Sequence, residues 1–135
     1  MVYNSESSLD TNLLLRFLLG DVPAQTEKVV ALLSREDCLF FVSDVIFVEL
    51  VHVLSNVLAF SRPEVRALLS VLFKLKNLSF QSPFLLELLD FYIDHPSLSF
   101  VDCYSAFLSE SLKKEPLLTF DKKLSSQSLS AKLLD

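Results

Sequence analysis

Glycine is nearly absent from this chain: there is one in 135 residues, alongside no tryptophan, two histidines and two cysteines. Each scarcity closes off a chemistry. One glycine cannot build a glycine-rich phosphate loop or a dinucleotide-binding fingerprint. With only His52 and His95, and no G-x-S-x-G, a serine hydrolase triad has little support. A zinc site asks for more His and Cys than this chain carries. Cys38 and Cys103 lack C-x-x-C spacing and are expected as buried, reduced thiols of a cytosolic protein. Basic residues are no surplus either: 12 Lys and Arg stand against 17 Asp and Glu, a net charge of −5. That balance argues against broad electrostatic wrapping of nucleic acid. The greasiest stretch, Cys38 to Phe60, is interrupted by Asp44, Glu49 and His52. Its longest piece without Asp, Glu, Lys or Arg, Leu50 to Ser61, is too short to span a bilayer, so no membrane association is expected. The polar start Met1-Val2-Tyr3-Asn4-Ser5-Glu6 has no apolar core of a leader, so a cytoplasmic location is expected.

What the chain has is apolar bulk and four carboxylates in unexpected company. The sequence is 51% hydrophobic, enough for a sizeable core and an apolar partner surface besides. Asp10 stands before Leu13-Leu14-Leu15, Glu49 inside Val45-Ile46-Phe47-Val48-Glu49-Leu50-Val51, Asp102 after Phe100-Val101, and Asp121 at the end of Leu117-Leu118-Thr119-Phe120. Such neighbours predict burial, and a buried carboxylate is costly unless paired, protonated or metal-bound. Four of them point to one shared compensating partner, and a hard divalent cation with oxygen ligands is the simplest. That chemistry suits metal-assisted phosphoryl transfer. Bland roles compete residue by residue: Asp10 and Asp102 could cap helices and Asp121 could sit in a turn. Arg16, Lys113, Lys114, Lys122 and Lys123 could form a basic rim around an acidic pocket, or be ordinary solvated side chains.

The patterning predicts a single domain over 1–135, with 1–8 irregular and a serine-rich, loosely ordered tail over 125–135. A first helix around Leu13–Leu19 is closed by Gly20, and Pro23 opens a second running to about Arg35. Leu39–Val42 reads as a strand, and Ser43 as the cap of a third helix. There Ile46, Leu50, Val53, Leu54, Val57 and Leu58 recur at helical spacing, which places Glu49 on the apolar stripe, facing inward. Pro63 and Pro83 open a fourth and fifth helix. The sixth begins near Asp102, with Tyr104, Leu108 and Leu112 on its core side. Leu117–Phe120 reads as a short buried strand. Short apolar strands alternating with helices predict an α/β fold whose parallel sheet is covered on both faces, with ligands beyond the carboxyl ends of its strands.

Asp10-Thr11-Asn12 with Leu13-Leu14-Leu15-Arg16-Phe17-Leu18-Leu19-Gly20-Asp21 after it, Glu49 on the third helix, Asp102 opening a later helix, and Thr119-Phe120-Asp121 together resemble the PIN-domain family. Within it, the chain looks like the VapC-type toxins of toxin–antitoxin pairs. The resemblance covers about Leu9 to Leu124. It implies a three-layer α/β/α fold with a short central parallel sheet, and a magnesium- or manganese-dependent ribonuclease. Carried over residue by residue, Asp10, Glu49, Asp102 and Asp121 would form the catalytic, metal-binding set. Thr11, Asn12 and Thr119 would support those ligands or orient substrate, and Arg16, Lys122 and Lys123 would contact RNA. Partners implied are an RNA substrate, a small antitoxin protein and a second copy of the chain. Two departures stand out: the segment before Asp10, Asn4 to Leu9, is polar where the family has an apolar strand, and Lys114-Glu115-Pro116 replaces a loop that often carries glycine. A catalytically silent PIN-like protein-binding module and a PIN-type DNA nuclease are the competing readings.

Overall fold

The computed structural model describes residues 6–135; residues 1–5, part of the segment expected to be irregular, lie outside the described residues. The chain divides into two compact units, Met1–Pro83 and Phe84–Asp135.

The first unit is built on three parallel strands, β1 (Glu6–Ser8), β2 (Leu39–Val42) and β3 (Leu78–Phe80), in the order β1-β2-β3. Ser7 pairs with Phe40, and Phe41 with Ser79. Helices α1 (Thr11–Leu19) and α2 (Pro23–Leu33) join β1 to β2, while α3 (Asp44–His52) and α4 (Arg62–Phe73) join β2 to β3. Both crossovers step the same way along the sheet. Connections between parallel strands of this kind are right-handed as a rule. The central strand β2 shows the two-residue period directly: Phe40 and Val42 are fully buried, while Leu39 is exposed and Phe41 half-buried. β1 is short and polar as its composition suggests, and it stands at the end of the strand order, where exposed Glu6 and Ser8 need no core partners.

Local signals behave as the residue chemistry predicts. Asp10 caps α1, and Gly20 ends it at φ 61°, a left-handed conformation without Cβ penalty. Ser61 and Glu64 form a reciprocal capping box at α4, with Pro63 in its first turn. Phe47, Phe73 and Phe80 meet under the sheet, with ring centroids 5.9 Å apart for Phe47–Phe73 and 4.3 Å for Phe73–Phe80. Cys38 and Cys103 are both buried and free, as expected.

The second unit contains α5 (Leu85–Asp94), α6 (Phe100–Ser111), β4 (Leu117–Thr119), α7 (Lys122–Gln127) and β5 (Ala131–Leu133). β4 and β5 form a parallel pair, with Leu118 opposite Lys132. Leu85, Leu88, Leu89, Leu98 and Cys103 form its core, and Tyr92 packs edge-on against Phe100 at 5.2 Å.

Four expectations are corrected here. The core side of α6 is Phe100, Cys103 and Ala106; Leu112 is exposed because the helix ends before it, with Lys113 left-handed at φ 57°. β4 is not a buried strand: Leu117 and Thr119 are half-buried, whereas Leu118, on the opposite side of the pleat, is exposed, as is Phe120 in the bend that follows. The tail carries regular structure. Serines that suggest a loose segment are used by α7 and the turn into β5, where Ser128 and Ser130 are buried. Finally, the third helix does not keep one phase. After His52 it widens into a π-helical turn, Val53–Val57, closed by Leu58 N–H donating to the Val53 carbonyl at 2.9 Å.

Candidate functional site

The regular turns of α3, before that π turn, decide where Glu49 goes. The buried face of α3 is Asp44, Phe47, Leu50 and Val51, continuing to Leu54. At about 100° per residue, Glu49 lies roughly 200° past Phe47 and shares the exposed side with Val45 and His52. The inward-facing Glu49 of the sequence pattern is thus corrected to an exposed one. The misleading apolar positions, Val57 and Leu58, belong to the widened turn and are themselves exposed. His52 is a surface histidine, its Nδ1 3.1 Å from Asn56 Nδ2.

The expected burial of the other three acids is corrected as well. Asp10 and Asp121 are exposed and Asp102 is half-buried. Leu9 beside Asp10 and Phe100 near Asp102 are buried, whereas Val101, Leu118 and Phe120 are exposed, and all three acids occupy helix starts. Asp10 Oδ1 accepts the Leu13 N–H at 2.9 Å. Asp121 Oδ1 accepts the N–H groups of Lys123 and Leu124 at 2.9 and 3.1 Å. For both, Oδ2 accepts no hydrogen bond among the described residues, so one oxygen faces water. Asp102 is not the cap of α6; that is Ser99, whose Oγ accepts the Asp102 N–H at 3.1 Å. Asp102 then occupies the first turn, where a carboxylate is favoured by the helix dipole. Along its face follow Ser105, Ala106 and Ser109, with Ser109 Oγ donating back to the Ser105 carbonyl at 2.8 Å.

The groups expected to support these acids divide similarly. Thr119 Oγ1 accepts the Asp121 N–H at 2.9 Å, fixing the turn that presents the carboxylate. Thr11 is buried, and its hydroxyl has no hydrogen-bond partner among the described residues. Asn12 is exposed and lines, with Arg16, Gln25 and Lys28, a cleft of about 270 Å³ between α1 and α2. Arg16 is committed to both oxygens of Asp21, at 3.0 Å each. Lys122 and Lys123 are exposed at the start of α7.

The sequence reading passed over Asp44. It is the buried acid of α3, 4% exposed, directly beyond the carboxyl end of β2. Ser82 Oγ donates to its Oδ2 at 2.5 Å, and its own N–H donates to Gln81 Oε1 at 2.9 Å. Gln81 N–H in turn donates to the Val42 carbonyl at 3.2 Å. Asp44 thereby ties the end of β2 to the end of β3. The available signal was Ser43-Asp44 at a strand end, where the strand-end rule already directed attention to Asp10 and Asp121.

The first unit thus contributes Asp10 and Glu49, and the second Asp102 and Asp121. All four offer oxygen ligands of the kind a hard cation takes. Within neither unit do three His, Cys, Asp or Glu side chains of the described residues form a group able to hold a metal ion. No described helix is long and apolar enough to cross a membrane.

The chain matches no curated protein. The family model described as PIN domain matches residues 8–128. That span takes in Asp10, Glu49, Asp102 and Asp121 and ends just short of β5. PIN domains are in general metal-dependent nucleases, and the helices and short parallel sheet found here are those of their α/β/α fold. By the extent of this match, and by the fold that accompanies it, the chain belongs to the PIN-domain family.

Proposed function

We propose that the protein is a metal-dependent endoribonuclease, the toxin of a toxin–antitoxin pair of the VapC type. In this reading Asp10, Glu49, Asp102 and Asp121 hold a magnesium or manganese ion. The ion supplies charge neutralisation at the scissile phosphodiester and an acidified water. The chain's own residues set the stage. Asp10 and Asp121 are each fixed by a cap bond through one oxygen, so the other is presented with little freedom left to lose. Thr119 holds the Asp121 turn. Lys122 and Lys123 attract the phosphate backbone, and Arg16, already paired with Asp21, contributes less charge than its sequence position suggests. A small antitoxin and a second copy of the chain are the protein partners of this reading, and the cytoplasm its location.

The observation that carries the proposal is the matched pair of capped, half-committed aspartates, Asp10 after β1 and Asp121 after β4, inside a PIN domain. The test is cleavage of a mixed small-RNA pool with magnesium, with manganese and with chelator, alongside Asp102→Asn. Metal-dependent cutting that vanishes in the variant is expected. A folded Asp102→Asn protein that cuts as well as the parent refutes the assignment. A second reading, a catalytically silent protein-binding module, is favoured by the short polar strand β1 that leads to Asp10. Melting temperature against magnesium or manganese separates the two, since a ligand of the folded state raises it and a silent module gives no rise.

A further inference from the structure

Of the 12 phenylalanines, Phe120 alone is exposed, at 78%. The others are buried or half-buried, many in ring pairs such as Phe84–Phe107 and Phe91–Phe107. Leaving a phenyl ring in water forgoes roughly 1.5–3 kcal/mol of burial. A single exposed apolar residue is unremarkable by itself, so the setting decides.

Three features of the setting agree. First, the backbone is pinned on both sides of the ring. Thr119 Oγ1 accepts the Asp121 N–H, and Asp121 caps α7. The ring is therefore held outward without any packing to hold it. Second, it is adjacent in sequence to Asp121, one of the four acids of the proposed site. Third, the local charge opposes that of the whole. From Glu110 to Asp135 lie Lys113, Lys114, Lys122, Lys123 and Lys132 against Glu110, Glu115, Asp121 and Asp135, in a chain of net charge −5. Leu118, two residues before Phe120 and 59% exposed, adds apolar surface, with Lys132 as its cross-strand neighbour. An exposed ring next to an acid, with exposed Lys122 and Lys123 following in the chain, is an arrangement that can receive an unpaired nucleobase with its phosphates. The base stacks on the ring face, and the lysines meet the backbone.

We propose that Phe120 is a stacking platform for an unpaired base of single-stranded RNA, seating one nucleotide beside Asp121. This rests on the ribonuclease reading and adds a substrate-seating residue to it: Phe120 grips the strand at the cutting position with little preference between bases, because every base has a face to stack.

The chain has no tryptophan, so Phe120→Trp places a unique fluorophore at the platform. In chelator, which prevents turnover, that variant is titrated with adenine and uridine oligoribonucleotides and with inorganic polyphosphate. Saturable quenching by both oligonucleotides and none by polyphosphate is expected. In cleavage assays, Phe120→Ala and Phe120→Leu are expected to raise KM about tenfold, with Phe120→Tyr restoring it; the leucine arm separates stacking from plain apolar contact. No quenching by RNA, with parental KM in the alanine variant, overturns the inference while metal-dependent cutting by the parent leaves the ribonuclease reading standing. Quenching without cutting by the parent does the reverse. A tryptophan emission already blue-shifted and dependent on protein concentration, without RNA, also overturns it, because the ring would then belong to an interface between copies.

Discussion

Removing one hydroxyl, that of Ser82, tests how the strand ends of the first unit are held. Ser82 is 8% exposed and donates to Asp44 Oδ2 at 2.5 Å, within the range of charge-assisted O–H···O⁻ bonds. A hydrogen bond to a charged group contributes about 1.5–3 kcal/mol net. The variant Ser82→Ala keeps the backbone and adds no bulk, and Gln81 Oε1 still receives the Asp44 N–H. The loss is therefore the bond plus poorer solvation of a buried carboxyl, about 2 kcal/mol. At ordinary urea slopes this lowers the denaturation midpoint by roughly 1 M. The assay is urea denaturation by circular dichroism, extended to Asp44→Asn and the double variant. The cycle should return a coupling of about 1 kcal/mol or more, since the residues touch. A Ser82→Ala protein within about 0.5 kcal/mol of the parent, or strictly additive losses, would show that the contact does not tie β2 to β3.

Other outcomes follow from the caps and turns. Asp10→Asn should keep α1 capped, because Asn and Asp cap equally well, leaving stability within about 0.5 kcal/mol, whereas Asp10→Ala should cost about 1 kcal/mol; RNA cleavage should be lost in both, and denaturation run beside the cleavage assay checks it. Ala59 and Lys113 hold left-handed backbone at φ 60° and 57°, so Ala59→Gly and Lys113→Gly should each stabilise by about 1 kcal/mol, read as a higher denaturation midpoint. The Ser61 N–H and hydroxyl hold the Glu64 carboxyl below its ordinary value of 4.5. A lowered folded-state pKa means stability that is present above 4.5 and lost as pH falls through the lower folded value, so Glu64→Gln should show a flatter acid limb of midpoint against pH.

Much of the fold was legible because single residues carried it. Gly20 could only be a left-handed stop, Ser43 could cap, Pro23 and Pro63 could open helices, and Leu39–Val42 could only be a strand in so apolar a setting. Membership of the family was legible too, from Asp10-Thr11-Asn12 and Thr119-Phe120-Asp121. What failed was phase and burial. The stripe through Ile46, Val53 and Leu58 assumed an unbroken helical period, and a π turn cannot be seen in a list of apolar residues. The acids looked buried because their neighbours are apolar, but apolar character does not fix burial: Val101, Leu118 and Phe120 are exposed, and a helix start lets a carboxylate face water. The serines of the tail looked loose because composition does not reveal that Ser128 and Ser130 are enclosed in a turn.

The two acids of α3 show why that distinction bears on chemistry. Asp44 and Glu49 lie five residues apart, and by sequence alone Glu49 seemed the one enclosed. The structure exchanges them: Asp44 is enclosed and tied to Ser82, Glu49 is exposed. A carboxyl already engaged on the strand ends serves the fold, while an exposed one is available to a cation. Stability and turnover should therefore separate cleanly between them. Glu49→Gln, at the surface, should leave the denaturation midpoint within about 0.5 kcal/mol of the parent and remove RNA cleavage. Asp44→Asn should lower the midpoint yet retain cleavage per folded molecule, measured well below its transition. If instead Glu49→Gln cuts at the parental rate while folded Asp44→Asn does not cut at all, the acid of α3 that matters is Asp44, and the assignment of Glu49 to the metal fails with it.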